Sequence, residues 1–310
     1  MPSADAQHNV TVVLATFNGE RFLPEQLASI AAQSLLPAEL LIVDDGSTDA
    51  TADIVAEFAR SAPLPVRWEV NATRLGYADN FLRAASRVTT ALVAFSDQDD
   101  VWHADKLTRA LAVLATAPAG APALYCGRTE LMTEDGRCYG LSPLFRRPPS
   151  FRNALVQNLG GGNTMVFNRA AKTLIEAAGA QEVVLHDWWL YQLVSAAGGA
   201  VLYDRQPMLS YRQHPANLIG SNQGRQARLL RIHLMLGGRF RDWNETNIAA
   251  LRRLPERLIT PDNRRVLELF AAARSAALPK RLARLRQSGV YRQTFLGNLG
   301  LLAAALLNRL

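Results

Sequence analysis

Four short apolar runs, at residues 10–15, 40–43, 66–70 and 91–95, alternate with longer stretches whose apolar residues recur every three to four positions. Strand-length runs separated by helix-length patterns are the mark of βαβ units and a largely parallel sheet. The intervening helices are expected at about residues 20–33, 50–60 and 77–87, with Ser47 or Asp49 available to cap the second. The fold class is therefore α/β, with helices on both faces of the sheet.

Beyond Trp102 the alternation loosens. A helix to about residue 116, a Pro/Ala/Gly-rich turn at 117–122 and a strand at 123–126 are expected. The Pro- and Arg-rich segment 142–152 reads as a mobile loop over a site. Gly160-Gly161-Gly162 opens onto the apolar run 164–167, and a helix begins near His186. After Gly224 the pattern is helical, broken near 237–238, Pro255, Pro261, Pro279 and Gly289, with no internal repeat. The expected division is a catalytic unit over 1–224, with halves at about 10–102 and 103–224, and a helical extension over 225–310.

The net charge of +7 is unevenly placed. From Arg225 to Leu310, 17 basic residues face 5 acidic ones, leaving the preceding chain at −5. An acidic front suits metal binding; a basic, Leu- and Ala-rich extension suits an anionic membrane surface and does not call for a nucleic acid. The apolar run 295–307 includes Asn298 and falls short of the roughly 20 residues that cross a bilayer, so it is expected on a membrane or in a core. Residues 1–9 lack a basic start followed by an apolar run, and two cysteines make no disulfide framework. A cytoplasmic protein, peripheral on the inner face of the membrane, is the expectation.

In open parallel sheets ligands bind beyond the carboxyl ends of the strands. Here those positions carry Thr16-Phe17-Asn18, Asp44-Asp45-Gly46-Ser47, Asn71 to Gly76, and Asp97-Gln98-Asp99-Asp100. Asp44-Asp45-Gly46-Ser47 reads as a turn and helix cap, as a ribose or base ligand, or as both. Three carboxylates in four residues repel one another unless a cation neutralises them. Magnesium or manganese, which takes few carboxylates and completes its shell with water and phosphate, is the natural partner. Asp100 reads as a cap for the helix that follows.

Together these motifs, with Val12 to Gly19, Leu41 to Asp49 and the segment Asn71 to Asn80, resemble glycosyltransferase family 2, inverting enzymes of GT-A fold. His186-Asp187-Trp188-Trp189 and Tyr211-Arg212-Gln213-His214 resemble its bacterial rhamnosyltransferase branch. The resemblance implies a mixed, mostly parallel sheet flanked by helices. It places Thr16, Asn18, Asp44, Asp45, Gly76 and Asn80 at a nucleotide-sugar donor and Asp97 with Asp99 on a divalent cation. Asp187 becomes the base for a saccharide or lipid-linked acceptor, Arg212 a diphosphate contact and His214 a further metal ligand. The family's usual Glu-Asp pair is here His186-Asp187, so the resemblance leaves the role of His186 open. Motifs of processive polysaccharide synthases are absent, which implies addition of one or a few sugars.

Of the adjacent Trp188 and Trp189, one is expected to be buried and the other to border the acceptor pocket as a stacking platform. A sugar nucleotidyltransferase would carry a Gly- and Arg-rich loop after the first strand, where this chain has Thr16-Phe17-Asn18-Gly19. A dinucleotide oxidoreductase would need Gly-x-Gly-x-x-Gly there. A non-catalytic basic protein that binds membranes or nucleic acid would have no use for the acidic cluster.

Overall fold

The computed structural model describes residues 9–215, 217 and 238–310. The four leading strands are β1 (Val10–Thr16), β2 (Glu39–Asp44), β3 (Val66–Val70) and β4 (Leu92–Ser96). They alternate with α1 (Leu23–Ala31), α2 (Thr51–Ser61) and α3 (Tyr77–Arg87). β1 pairs in parallel with β2 and with β4, and β2 with β3. With β6 (Ala123–Gly127), β9 (Val166–Asn168) and β10 (Ala200–Asp204) they form one sheet in the order β10-β6-β9-β4-β1-β2-β3. Only β9 runs antiparallel to its neighbours, so the sheet is mixed and mostly parallel.

Side chains on successive strand residues point to opposite faces, and each face has its own core. Val12, Leu14 and Ile42 belong to the cluster packed with α1 and with α4 (Lys106–Leu114). Val13, Leu41 and Phe95 belong to the other, with α3, α6 (Arg169–Ala178) and α7 (His186–Ala196). Burial on both faces explains why β1, β2 and β4 read as continuous apolar runs, whereas the edge strand β3 carries Arg67 and Glu69.

A second, four-stranded sheet lies outside what the apolar runs announced. It joins β5 (Val101–Trp102), β11 (Leu209–Arg212), β7 (Glu130–Met132) and β8 (Cys138–Leu141), in that order. By pairing β11 with β5 it brings Arg212 and His214 back to the loop that follows β4.

Segment 142–152 is not a loop lying free over the site. Ser150 caps the short helix α5 (Phe151–Ala154) and meets Tyr291, while the Arg147 N–H donates to Gln293 Oε1 at 3.0 Å. The segment is a seam to the later helices α8 (Arg239–Arg252), α9 (Pro261–Ser275), α10 (Leu278–Ser288) and α11 (Phe295–Leu306). Ile248, Leu251, Phe270, Leu301 and Ala304 from these helices share one buried cluster with Phe81 and Phe95. Breaks between helices do fall near Pro261 and Pro279, and each proline stands in the first turn of the helix that follows, where the missing N–H costs nothing. The expected boundary at 224/225 and the basic run at 225–237 fall outside the described residues.

Candidate active site

The site assembles where β1, β2 and β4 end. Asp44 closes β2, and its carboxylate accepts four bonds, from Thr16 Oγ1 (2.7 Å), Gly46 N (3.1 Å), Ser47 N (2.8 Å) and Ser47 Oγ (2.5 Å). Ser47 is spent on this loop, so the helix cap falls to Ala50, with Asp49 accepting from the Thr51 N–H. Asp45 shapes the next loop, accepting from Leu75 N (2.7 Å), Gly76 N (2.8 Å) and Asn71 Nδ2 (3.0 Å). Gly76 adopts φ +80, a left-handed conformation that glycine tolerates. Asn80 ties the arrangement to the sheet by donating to the Val43 carbonyl at 3.1 Å. Asn18, also left-handed at φ 47, bridges to the second loop, its N–H donating to Ser47 Oγ and its Oδ1 accepting from the Thr48 N–H. The predicted donor residues therefore converge as a braced cradle, with Asp44 and Asp45 organising its walls. Beside Gly76 and Tyr77 opens a cleft of about 460 Å³, lined also by Ala180 to Val183.

Beyond β4, Asp97, Asp99 and Asp100 each offer a carboxylate oxygen, all within 4.8 Å of one another. Asp97 accepts from Tyr77 OH at 2.9 Å, and Asp99 Oδ2 lies 2.7 Å from His214 Nε2. Burial, then the Asp99 charge, pushes the Asp97 carboxyl up to about 7. A dication held between these carboxylates would favour their ionised forms, so the donor set fits magnesium or manganese.

Asp100 is not a helix cap. It is fully buried, accepts from Asn163 Nδ2 at 2.6 Å and from the Arg212 N–H at 3.3 Å, and burial drives its carboxyl well upward. The following helix instead starts at Lys106, with Asp105 at its N-cap. Arg212 is 2% exposed, and its guanidinium donates to the carbonyls of Asp99 (3.0 Å) and Glu134 (2.9 Å) and pairs with Glu25. In this arrangement Arg212 ties the acidic loop to Glu134 and Glu25.

Asp187 enters from the second half of the chain at the start of α7. Its carboxylate accepts from the Trp188 N–H at 2.6 Å and the Gly162 N–H at 3.1 Å, yet burial outweighs these bonds and raises it to about 6. The Asp187 charge is close enough to push Asp97 and Tyr77 upward as well. The glycine run has a definite task. Gly162 begins a 3-10 turn, Gly162–Thr164, and a Cβ there would clash with the His186 ring at Nε2. The same turn presents Asn163 to Asp100 and receives the Lys106 ammonium on the Asn163 carbonyl at 2.6 Å. One turn thus joins the acidic cluster to Asp187.

His186 is fully buried and stacks on Phe81 with ring centroids 4.1 Å apart. Neither ring nitrogen has a hydrogen-bond partner among the described residues, and burial holds the ring at about 3, so it is neutral at physiological pH. Both tryptophans are buried, against the expectation that one would line the pocket. Trp188 donates Nε1–H to the Ala154 carbonyl and meets Trp243 edge-on, and Trp189 is 1% exposed. Sequence reasoning missed Tyr77, Lys106, Asn163 and Glu25; of these only Asn163 was signalled, by the glycines before it.

A sheet that gathers carboxylates at its strand ends, met by one more carboxylate from the chain's second half, is the arrangement of GT-A glycosyltransferases. The chain belongs to glycosyl transferase family 2, whose family model matches residues 11–174. It is 31% identical over 247 residues to a dTDP-rhamnosyl transferase, RfbG, of Shigella flexneri, a match covering 72% of this chain and 78% of that one. Among solved structures, S. aureus TarS 1–349 in complex with UDP-GlcNAc is similar with a TM-score of 0.54 and 18% identity, over 90% of each chain. A mannosyltransferase, PcManGT from Pyrobaculum calidifontis, in complex with GDP-Man and Mn2+, gives a TM-score of 0.51 at 21% identity, over 97% of this chain and 86% of that one. At these identities the two structures share the fold.

Proposed function

We propose that this glycosyltransferase moves rhamnose from dTDP-rhamnose, with inversion and with the help of manganese or magnesium, to a saccharide or lipid-linked saccharide at an anionic membrane surface. The observation that carries the reading is the cluster of Asp97, Asp99 and Asp100 joined through the Gly162–Thr164 turn to Asp187. A metal-binding group and a carboxylate base on one rigid support are what a single displacement at a sugar carbon requires. The similarity to a dTDP-rhamnosyl transferase over most of both chains supports the choice of donor.

Asp97 and Asp99, with His214 beside them, would hold the cation, which when bound would supply Lewis-acid stabilisation of charge on the leaving diphosphate. Thr16, Asn18, Asp44, Asp45, Gly76 and Asn80 shape the nucleotide pocket. Arg212 fixes the acidic loop so that its carboxylates need not reorganise during reaction. Asp187 takes the proton from the acceptor hydroxyl as that oxygen attacks the anomeric carbon. Its carboxyl, raised to about 6, is ionised near neutral pH and basic enough to share the proton in the transition state.

Donor identity is tested by thermal stabilisation of the purified protein with manganese and a panel of sugar nucleotides. A ligand that binds only the folded state at 100 times its Kd adds about 2.7 kcal/mol of stability. dTDP-rhamnose is expected to give the largest rise in melting temperature. A larger rise with a UDP- or GDP-sugar would overturn the donor assignment while leaving the family intact.

A further inference from the structure

Ten large apolar side chains are exposed among the described residues, and six of them belong to one helix and the residue that ends it: Phe295, Leu296, Leu299, Leu302, Leu306 and Leu307. At about 100° per residue, Phe295, Leu299, Leu302 and Leu306 form a single stripe. Leu301, Ala304 and Ala305 lie on the other side of α11 and are buried. Phe295, at 77% exposure, stands farthest out. The helix is anchored. Thr294 caps its start, Arg281 donates to the Ala305 carbonyl at 2.8 Å, and Arg274 donates to the Leu310 carbonyl at 3.0 Å. A docked surface helix normally shows solvent its polar side; this one presents leucines.

Charge indicates what covers that stripe. From Leu278 to Leu310 the chain has six basic residues and no acidic one. Lys280, Arg286 and Arg309 are exposed. The exposed Arg239 and Arg241 begin the helix after Gly238, itself beside the Arg309 guanidinium, with Asp242 on the same turn. A second copy seated on this face would bring the same basic surface against itself. An anionic bilayer offers acyl chains to the leucines and phosphates to the arginines. Twelve helical residues span about 18 Å against a hydrocarbon core of about 30 Å, and no helix among the described residues is long and apolar enough to cross a membrane.

We propose that α11 lies flat in the headgroup layer of an anionic membrane, its Phe295, Leu299, Leu302 and Leu306 stripe inserted and the neighbouring arginines on lipid phosphates. This deepens the reading of a membrane-surface acceptor and rests on it for its purpose. The test is co-sedimentation of the full-length protein with phosphatidylethanolamine/phosphatidylglycerol vesicles and with phosphatidylcholine vesicles, at low and high salt. Wild type is expected to bind the anionic vesicles at least about tenfold better at low salt, with the preference falling in high salt. Leu299→Glu/Leu302→Glu/Leu306→Glu should lose about tenfold or more of that binding. Its melting temperature and its manganese-dependent release of dTDP from dTDP-rhamnose should be unchanged. Should the triple variant fail to fold, Arg286→Glu/Arg309→Glu must weaken binding to anionic vesicles selectively. Undiminished vesicle binding by whichever variant folds would overturn the proposal. So would a wild-type dimer that ignores vesicles and is split by the triple variant. Absence of dTDP release by wild type would instead count against the enzymatic reading, independently of the vesicle result.

Discussion

Asp187→Asn is expected to lower turnover about 100-fold or more while donor affinity changes little, the pattern of a lost general base. The substitution keeps the side-chain shape. An amide oxygen can still accept from Trp188 N–H or Gly162 N–H, but it cannot take a proton from an acceptor hydroxyl. The pH profile provides a second signature. Because the carboxyl is raised to about 6 by burial, the wild-type rate should climb as pH rises through that value and level off above it. The residual rate of the variant should lack that limb. Equal losses in turnover and donor affinity would make Asp187 a donor-site or structural residue instead.

Asp99→Ala is expected to remove most turnover, on the order of 100-fold, and to weaken manganese-dependent donor binding while the fold survives. Asp99 borders the open side of the cluster with His214, whereas Asp100 is fully enclosed by Asn163 and Arg212. Loss of Asp99 would therefore remove a proposed metal ligand without uncovering a core. Titrating manganese against activity and against donor-induced stabilisation measures both effects. Near-normal activity of the variant in the presence of a chelator would contradict the assignment.

The first hundred residues were legible because β1, β2 and β4 are buried on both faces and, like the partly exposed edge strand β3, end at polar residues, so strands and carboxylates punctuate the chain together. Their bounds in the structure lie within a residue or so of the apolar runs. The second sheet was not legible. β5 has two residues and β7 three, too few for any period to register. The tryptophan pair misled for the opposite reason. Every residue of α7 is buried, and a helix buried all round has no solvent face onto which one of two adjacent aromatics could turn.

At the site, residue type disclosed the carboxylates but not their supports. Asp100 could be read as a cap because it precedes a helix; the Asn163 amide and the Arg212 N–H that enclose it come from about 60 and 110 residues away. Lys106 looks like any lysine in an amphipathic helix, yet its ammonium is fully buried over Trp102 and against the Asn163 carbonyl. Such long-range partners leave no local pattern. The glycine run did leave one, since three glycines before an apolar strand mark a place where backbone must come close to something. At Gly162 that something is the His186 ring.

The central claim is a cation-assisted transfer from a nucleotide sugar, and release of dTDP from dTDP-rhamnose by the purified wild-type protein tests it most directly. With manganese or magnesium, release should be slow by transfer to water, rise steeply when a rhamnose-accepting saccharide is supplied, and fall to background with a chelator. Release that is indifferent to the chelator, or absent with every sugar nucleotide offered, would contradict it.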